Sequence, residues 1–228
     1  MTLQARPRSL SIAVEDALHG VLALGLLEAD QLQGDPLPAA FIDERDRIVR
    51  RWVSQYGGRQ PADVPGVAET RALFHELGID PTKHRPSSEA LLRRVLQGKG
   101  LPEVSPIVDA CNLSSLEHQI PLGLYDRDKI RGEVVVRLGK PDEGYDGIRK
   151  QRVNLSGRLL LTDDDGPFGA PTSDSLRTSI TPDTRNVIVV LFCPAHRAAQ
   201  SLSGALEHVA GMLSRHCGAT VTTVRLAQ

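Results

Sequence analysis

The sequence is short of cysteine, aromatic residues and net charge. Its 228 residues hold three cysteines, Cys111, Cys193 and Cys217, with no Cys-x-x-Cys spacing. An odd, scattered set argues against a disulfide framework or structural zinc and favours a reducing cytoplasm. One Trp, three Tyr and four Phe leave little for base stacking to contribute to nucleic-acid affinity. A net charge of −1 excludes a strongly basic nucleic-acid binder, though not a local basic patch. No apolar run reaches the ~18 residues that a membrane span needs, and MTLQARPRSLS lacks a signal-like apolar region. A soluble cytoplasmic protein is expected, with neither a membrane nor DNA as partner. Walker A, GxGxxG, HExxH and GxSxG motifs are all missing. The histidines fall at no metal-ligand spacing, and His75, His208 and His216 lie in helices expected at the surface. Neither a metal nor a cofactor is expected.

What is present reads as α/β (α+β): a mixed β-sheet covered by helices in one domain over 41–228, with residues 1–40 packed on it. Short apolar runs at 10–14 and 21–27 suggest strands. Between Ala39 and Tyr56, Ile42, Ile48, Val49, Trp52 and Val53 recur at near-helical spacing among Arg45, Arg47, Arg50 and Arg51. A further helix over 67–77 stops at Gly78, and another, capped by Ser87 or Ser88, stops at Gly98. EVVVRL (133–138), RLLLTDDDG (158–166) and NVIVVLFCP (186–194) read as strands. Leu202, Leu206, Val209, Met212 and Leu213 mark a last helix before TVTTVRL (220–226), a closing strand. Asp163-Asp164-Asp165-Gly166 reads as a solvated turn in preference to a cation site.

The stretch 105–126, SPIVDACNLSSLEHQIPLGLYD, fits neither a core nor a surface helix. At about 100° per residue, Asp109, Asn112 and Leu116 share one side, and Cys111, Ser114, Ser115 and His118 gather nearly opposite. A helix with no single solvent face is usually buried, and a buried polar group costs a few kcal/mol unless paired. Either these groups hydrogen-bond into neighbouring segments or some of them line a cavity.

GIDPTKHRPSSEALLRR, then LPEVSPIVDACNLSSLEHQIPLGLYDRDKI, then TSITPDTRNVIVV occur in an order that resembles the B3/B4 domain, from about residue 40 onward. That domain is the editing module of the phenylalanyl-tRNA synthetase β subunit, where it hydrolyses tyrosine wrongly attached to the tRNA. It also occurs in stand-alone trans-editing factors, and one branch removes canavanine from arginine tRNA. Against the synthetase pattern V-D-x-T-N-Y-V-x-L-E-x-G-Q-P-x-H-A-F-D, Val108, Asp109, Asn112, Pro121 and Asp126 match. Cys111 stands for the Thr and Gly123 for the pocket His. No Glu occurs near Ser179–Thr184, where the tyrosine-selecting Glu falls, so tyrosine selectivity does not carry over.

The resemblance implies an aminoacyl-tRNA deacylase acting in trans on the charged 3′ end, with canavanyl-tRNA(Arg) as leading substrate. Ester hydrolysis needs an oriented water and oxyanion donors, roles assigned to Asn112 and Ser115, with His118 as proton-transfer or positioning group. Gly123 would permit close backbone approach to the substrate, with Asp109 and Cys111 beside it. The acid facing a guanidino-like side chain is sought among Asp109, Glu117, Asp165, Asp174 and Asp183, three of them in or beside the Gly- and Pro-rich loop 166–186. Arg45–Arg51, Arg93, Arg94, Lys99, Arg149, Lys150 and Arg152 are candidate phosphate contacts. A non-catalytic RNA-binding module, a small-molecule amidase or esterase, and editing of tyrosyl or other near-cognate tRNA are the alternatives.

Overall fold

The computed structural model describes residues 9–34, 36–148 and 151–227. In chain order the elements are β1 (Ile12–Val14), β2 (Leu22–Asp30), α1 (Ala39–Tyr56), α2 (Pro65–Glu76), α3 (Ser87–Leu96) and α4 (Pro106–His118). There follow β3 (Leu122–Asp126), β4 (Val134–Leu138), β5 (Gly144–Asp146), β6 (Arg152–Asn154), β7 (Leu159–Asp163), β8 (Gly166–Gly169), β9 (Val187–Pro194), α5 (Ala198–Cys217) and β10 (Thr220–Ala227).

The mixed α+β fold is as expected, with its strands divided between two four-stranded sheets stacked face to face and a small two-stranded sheet, β5-β6. One of the larger two has the order β10-β2-β9-β3 and is antiparallel throughout; the other, β1-β4-β7-β8, pairs β1 with β4 in parallel and is otherwise antiparallel. The side chains of β2 and β9 divide by parity, as a strand requires. Ala23, Leu27, Val187, Val189, Leu191 and Cys193 pack against the helices. Leu22, Leu24, Leu26, Ile188, Val190 and Phe192 pack against Val134, Val136, Leu159 and Leu161 of the second sheet. Helices, first sheet and second sheet therefore form three layers in one α+β domain. β1 and β2, both before residue 40, are built into the two sheets.

α5 lies on β2 at Gly25, where a Cβ would come within 3.2 Å of Leu202 and Leu206. Its apolar stripe of Leu202, Leu206, Val209, Met212 and Leu213 is fully buried, each residue contributing about 2 kcal/mol of transfer free energy. His208 and His216 do not face solvent as expected. They turn inward toward Glu44 of α1, at 3.6 and 3.7 Å, with side chains only 18% and 6% exposed. α3 also departs from expectation at its start. Pro86 is the N-cap with no side-chain cap, and the Ser87 hydroxyl instead accepts from the Leu122 amide at 3.4 Å. The Asp163–Asp165 run is a β7–β8 turn, but Asp163 is not solvated. Its buried carboxylate accepts from Arg177 at 2.7 and 3.1 Å and from the Arg131 amide at 2.9 Å.

Candidate functional site

α4 runs beside the edge strand β3. Ser105 caps it, accepting from the Val108 amide, and Gln119 ends it with a left-handed φ of 52°. Its polar stripe is largely accounted for locally. The Ser114 hydroxyl donates to the Ala110 carbonyl at 3.0 Å and the Ser115 hydroxyl to the Ile120 carbonyl at 2.8 Å. Asp109 accepts from the Val104 amide at 2.9 Å and so folds the preceding loop onto the helix. Val108, Cys111 and Asn112, spaced i, i+3 and i+4, line a cavity of about 580 Å³. This face lies between the two polar stripes, not along either.

The other walls come from β3 (Leu122, Leu124), from Ser179–Pro182, and from Ile148, Asp174 and Leu176. Two of the sequence motifs meet here. Asp126, at the end of β3, is 5% exposed and accepts from the Thr184 hydroxyl at 2.8 Å. Its amide donates to the Thr178 carbonyl at 2.9 Å, and Lys129 Nζ donates to the Ser179 carbonyl at 2.7 Å. These bonds hold the loop 178–184 as a wall opposite α4.

Asn112 is half-buried, and among the described residues its side-chain amide has no protein hydrogen-bond partner. Cys111 is buried, and burial, with Cys217 nearby, pushes its thiol far above the ordinary range. A thiol held protonated is neither nucleophile nor base. Asp174 lies beside the hydroxyls of Tyr125 and Tyr145. Burial first, and then the Asp174 charge, raises both tyrosine pKa values. The Tyr145 hydroxyl donates to the Ser173 carbonyl, bracing the backbone next to Asp174.

Of the residues singled out from sequence, the cavity brings together Asn112, Cys111 and Asp174. Ser115 is held by its bond to Ile120. His118 faces α5, its ring centroid 5.1 Å from that of His208, away from the cavity. Asp109 closes the 104–109 loop. Asp165 lies 3.7 Å from Arg177 at a separate depression that also contains Tyr145 and Asp146. Asp183 is exposed, and Glu117 is ion-paired with Arg51. Arg93, Arg94 and Lys99 are exposed at the end of α3 without ion-pair partners among the described residues. Arg45 is paired with Asp46 and Glu103 at 3.0 Å each. Arg149 and Lys150 lie outside the described residues.

Gly123 does not open backbone to the cavity. Gly123 and Tyr125 share the opposite face of β3, and a Cβ on Gly123 would sit 2.0 Å from the Tyr125 hydroxyl. A Cβ on Gly169 of the second sheet would sit 2.3 Å from the same oxygen. Tyr125 is fully buried, and its ring meets Phe168 edge to face at 5.0 Å, so it cannot move aside. Gly123→Ala should therefore destabilise by about 2–3 kcal/mol through overpacking. In a Tyr125→Leu background thermal unfolding should show a smaller cost; an equal cost in both backgrounds would contradict the contact. The sequence signal was available: a Gly two residues before a Tyr on one strand face leaves space for the larger ring.

His118 supplies a pH prediction. Burial, then His208, lowers its pKa from 6.5 to about 4. Between these values the unfolded chain takes up a proton that the folded chain refuses. Stability is thus full above pH 6.5 and declines as the pH falls toward 4. After allowance for partial exposure, the loss is on the order of 2 kcal/mol. Urea midpoints across this range should fall in the wild type and less steeply in His118→Asn; parallel slopes would contradict this.

A three-layer α+β fold with a ligand-sized cavity between a helix and an edge strand defines the class. The B3/4 domain model matches residues 69–218, and the chain belongs to that family. It is 30% identical over 166 residues to the phenylalanine–tRNA ligase β subunit of Thermobifida fusca (strain YX), covering 70% of this chain and 20% of that one. The corresponding subunit of Psychrobacter arcticus is 32% identical over 114 residues, covering 48% of this chain and 14% of that one. The chain thus spans one fifth or less of the length of these relatives. An N-terminal fragment of the phenylalanyl-tRNA synthetase β-subunit from Pyrococcus horikoshii superposes with a TM-score of 0.49 at 12% identity, covering all of this chain and 57% of that one. Among the described residues no helix is long and apolar enough to cross a membrane.

Proposed function

We propose that this chain is an aminoacyl-tRNA deacylase acting in trans, hydrolysing the ester that joins a wrong amino acid to the tRNA 3′ end. The observation that carries the reading is the placement of the Asn112 amide and the Asp174 carboxylate in one aliphatic-walled cavity of a B3/4-domain chain. An ester is reactive enough that a positioned water and an oxyanion donor suffice. Water adds to the ester carbonyl carbon, and the Asn112 side-chain N–H donates to the oxygen that gains negative charge. The carbon–oxygen bond to the ribose then breaks, and the water-derived proton passes to the departing ribose oxygen, assisted by the vicinal hydroxyl. Asp174 receives a cationic or donor-rich group of the amino acid. A carboxylate suits the oxyguanidino group, so canavanyl-tRNA(Arg) leads over tyrosyl-tRNA.

Phosphates fall to the exposed cations Arg93, Arg94 and Lys99, joined by Arg149 and Lys150, which follow the cavity residue Ile148 in sequence. Affinity for tRNA should be weak and fall steeply with added salt; tight, salt-independent binding would contradict this. A panel of tRNAs charged with canavanine, arginine, tyrosine and other near-cognate residues tests the reading. Release of canavanine well above the spontaneous rate supports it. Binding of tRNA without release of any amino acid identifies an RNA-binding module instead, and equal hydrolysis of free amino-acid esters a small-molecule esterase.

A further inference from the structure

The two four-stranded sheets have four edges, and three of them are closed or too short for further pairing. β1 is only three residues long. On β8 the Phe168 carbonyl accepts from the Ser175 amide at 3.0 Å and from the Thr178 hydroxyl at 3.3 Å, and Pro167 offers no amide. On β3 the Leu122 amide donates to the Ser87 hydroxyl at 3.4 Å and the Asp126 amide to the Thr178 carbonyl at 2.9 Å. β10 has none of these protections. Its eight residues, TVTTVRLA, hold no proline and a single charge. Along its outer side no backbone group has a hydrogen-bond partner among the described residues. A bulge at Thr222 interrupts the ladder with β2 but leaves Thr223–Ala227 regular. An edge of this kind is a template for another strand.

The side chains of β10 say which strand it suits. Val224 and Leu226 pair with Leu27 and Gly25, so both stand on the helix face of the sheet, where they are 49 and 45% exposed. We propose that β10 pairs antiparallel with β10 of a second copy of this chain, about a two-fold axis through Val224, joining the two first sheets into one of eight strands. In that register Val224 meets its own counterpart, Leu226 faces Thr222, Val221 faces Ala227, and Arg225 faces Thr223. Moving the axis one residue, to Arg225, would set two guanidinium groups opposite each other and is disfavoured. The pairing consumes both copies of β10, and the other edges are closed or short, so assembly stops at two. β3 is the opposite edge of the same sheet, so both cavities stay open. Seven strand spacings of ~4.8 Å put the two β3 strands about 34 Å apart. Eight residues a side fall well below the ~20–30 of a standard interface, so the dimer should dissociate in the micromolar range. The dimer stands independently of the deacylase reading.

Sedimentation velocity of the whole chain across the micromolar range should show a reversible monomer–dimer equilibrium. Val224→Lys should weaken association by about tenfold or more, because apolar contact is lost and two ammonium groups face each other across the axis. Its circular dichroism spectrum and monomer stability should not change, since the side chain is half-exposed. Val224→Cys should link two chains under mild oxidation, because opposed residues on paired strands bring their Cα atoms to ~4.5–5.5 Å. The native cysteines are buried and do not compete. Leu226→Cys, which would meet Thr222 and not itself, should link about tenfold more slowly or not at all. A chain that stays monomeric throughout overturns the proposal, as does a dimer that Val224→Lys leaves intact, or equal linking by the two cysteine variants. Dimerisation only after removal of residues 1–8 also overturns it and gives the edge to that segment. A heterologous protein on β10, with no self-association, does the same.

Discussion

Replacing Asp174 with Asn should raise KM for a canavanyl substrate by about ten- to a hundredfold, the loss of one charge-assisted hydrogen bond. kcat should change much less, because the side-chain group is held alike in ground and transition states. The same substitution should alter tyrosyl-tRNA turnover little, so selectivity collapses while chemistry persists. Asp174 is singled out by position. Among the acids of the 163–183 region it alone lines the cavity, beside two buried tyrosines. Steady-state kinetics on both charged tRNAs would separate the outcomes. A fall in kcat of equal size for both substrates would make Asp174 part of the reaction machinery, not the selector.

Replacing Asn112 with Ala should lower kcat by about 10²–10³, the usual effect of deleting an oxyanion donor, with little change in KM. Stability should hardly move. The Asn112 amide has no protein partner among the described residues to lose, and Ala favours the helix. Asn112→Asp should not rescue activity, because a carboxylate offers no N–H and would repel the oxyanion. Circular dichroism and single-turnover deacylation together distinguish this from a packing effect.

The long elements were legible because period and punctuation agreed. α1 spans Ala39–Tyr56 as its spacing implied, and α5 carries its apolar stripe to Gly218. β3 and β8 were not read, because LGLYD follows Pro121 at the tail of a helical stretch and GPFG holds two glycines and a proline. The division into two sheets was also hidden. β2 and β9 are buried on both faces, so their runs are continuously apolar and carry no alternation to show which side meets which layer. At the site, Asn112 emerged from its place in a recognisable motif. Asp174 did not stand out from Asp165 and Asp183, because a loop without periodicity gives no direction to its side chains. The inward turn of His208 and His216 depends on Glu44, more than 150 positions away in sequence. The cavity-lining Val104, Ile148 and Leu176 were missed for a similar reason, since isolated apolar residues in loops acquire meaning only when three segments meet.

The most direct measurement is the first-order rate of amino-acid release from canavanyl-tRNA(Arg) by the wild-type chain and by Asn112→Ala, under identical salt and pH. The expected result is release far above the spontaneous rate for the wild type and a loss of about 10²–10³ for the variant. Release by both proteins at the spontaneous rate, or at the same accelerated rate, would contradict a deacylase centred on this cavity.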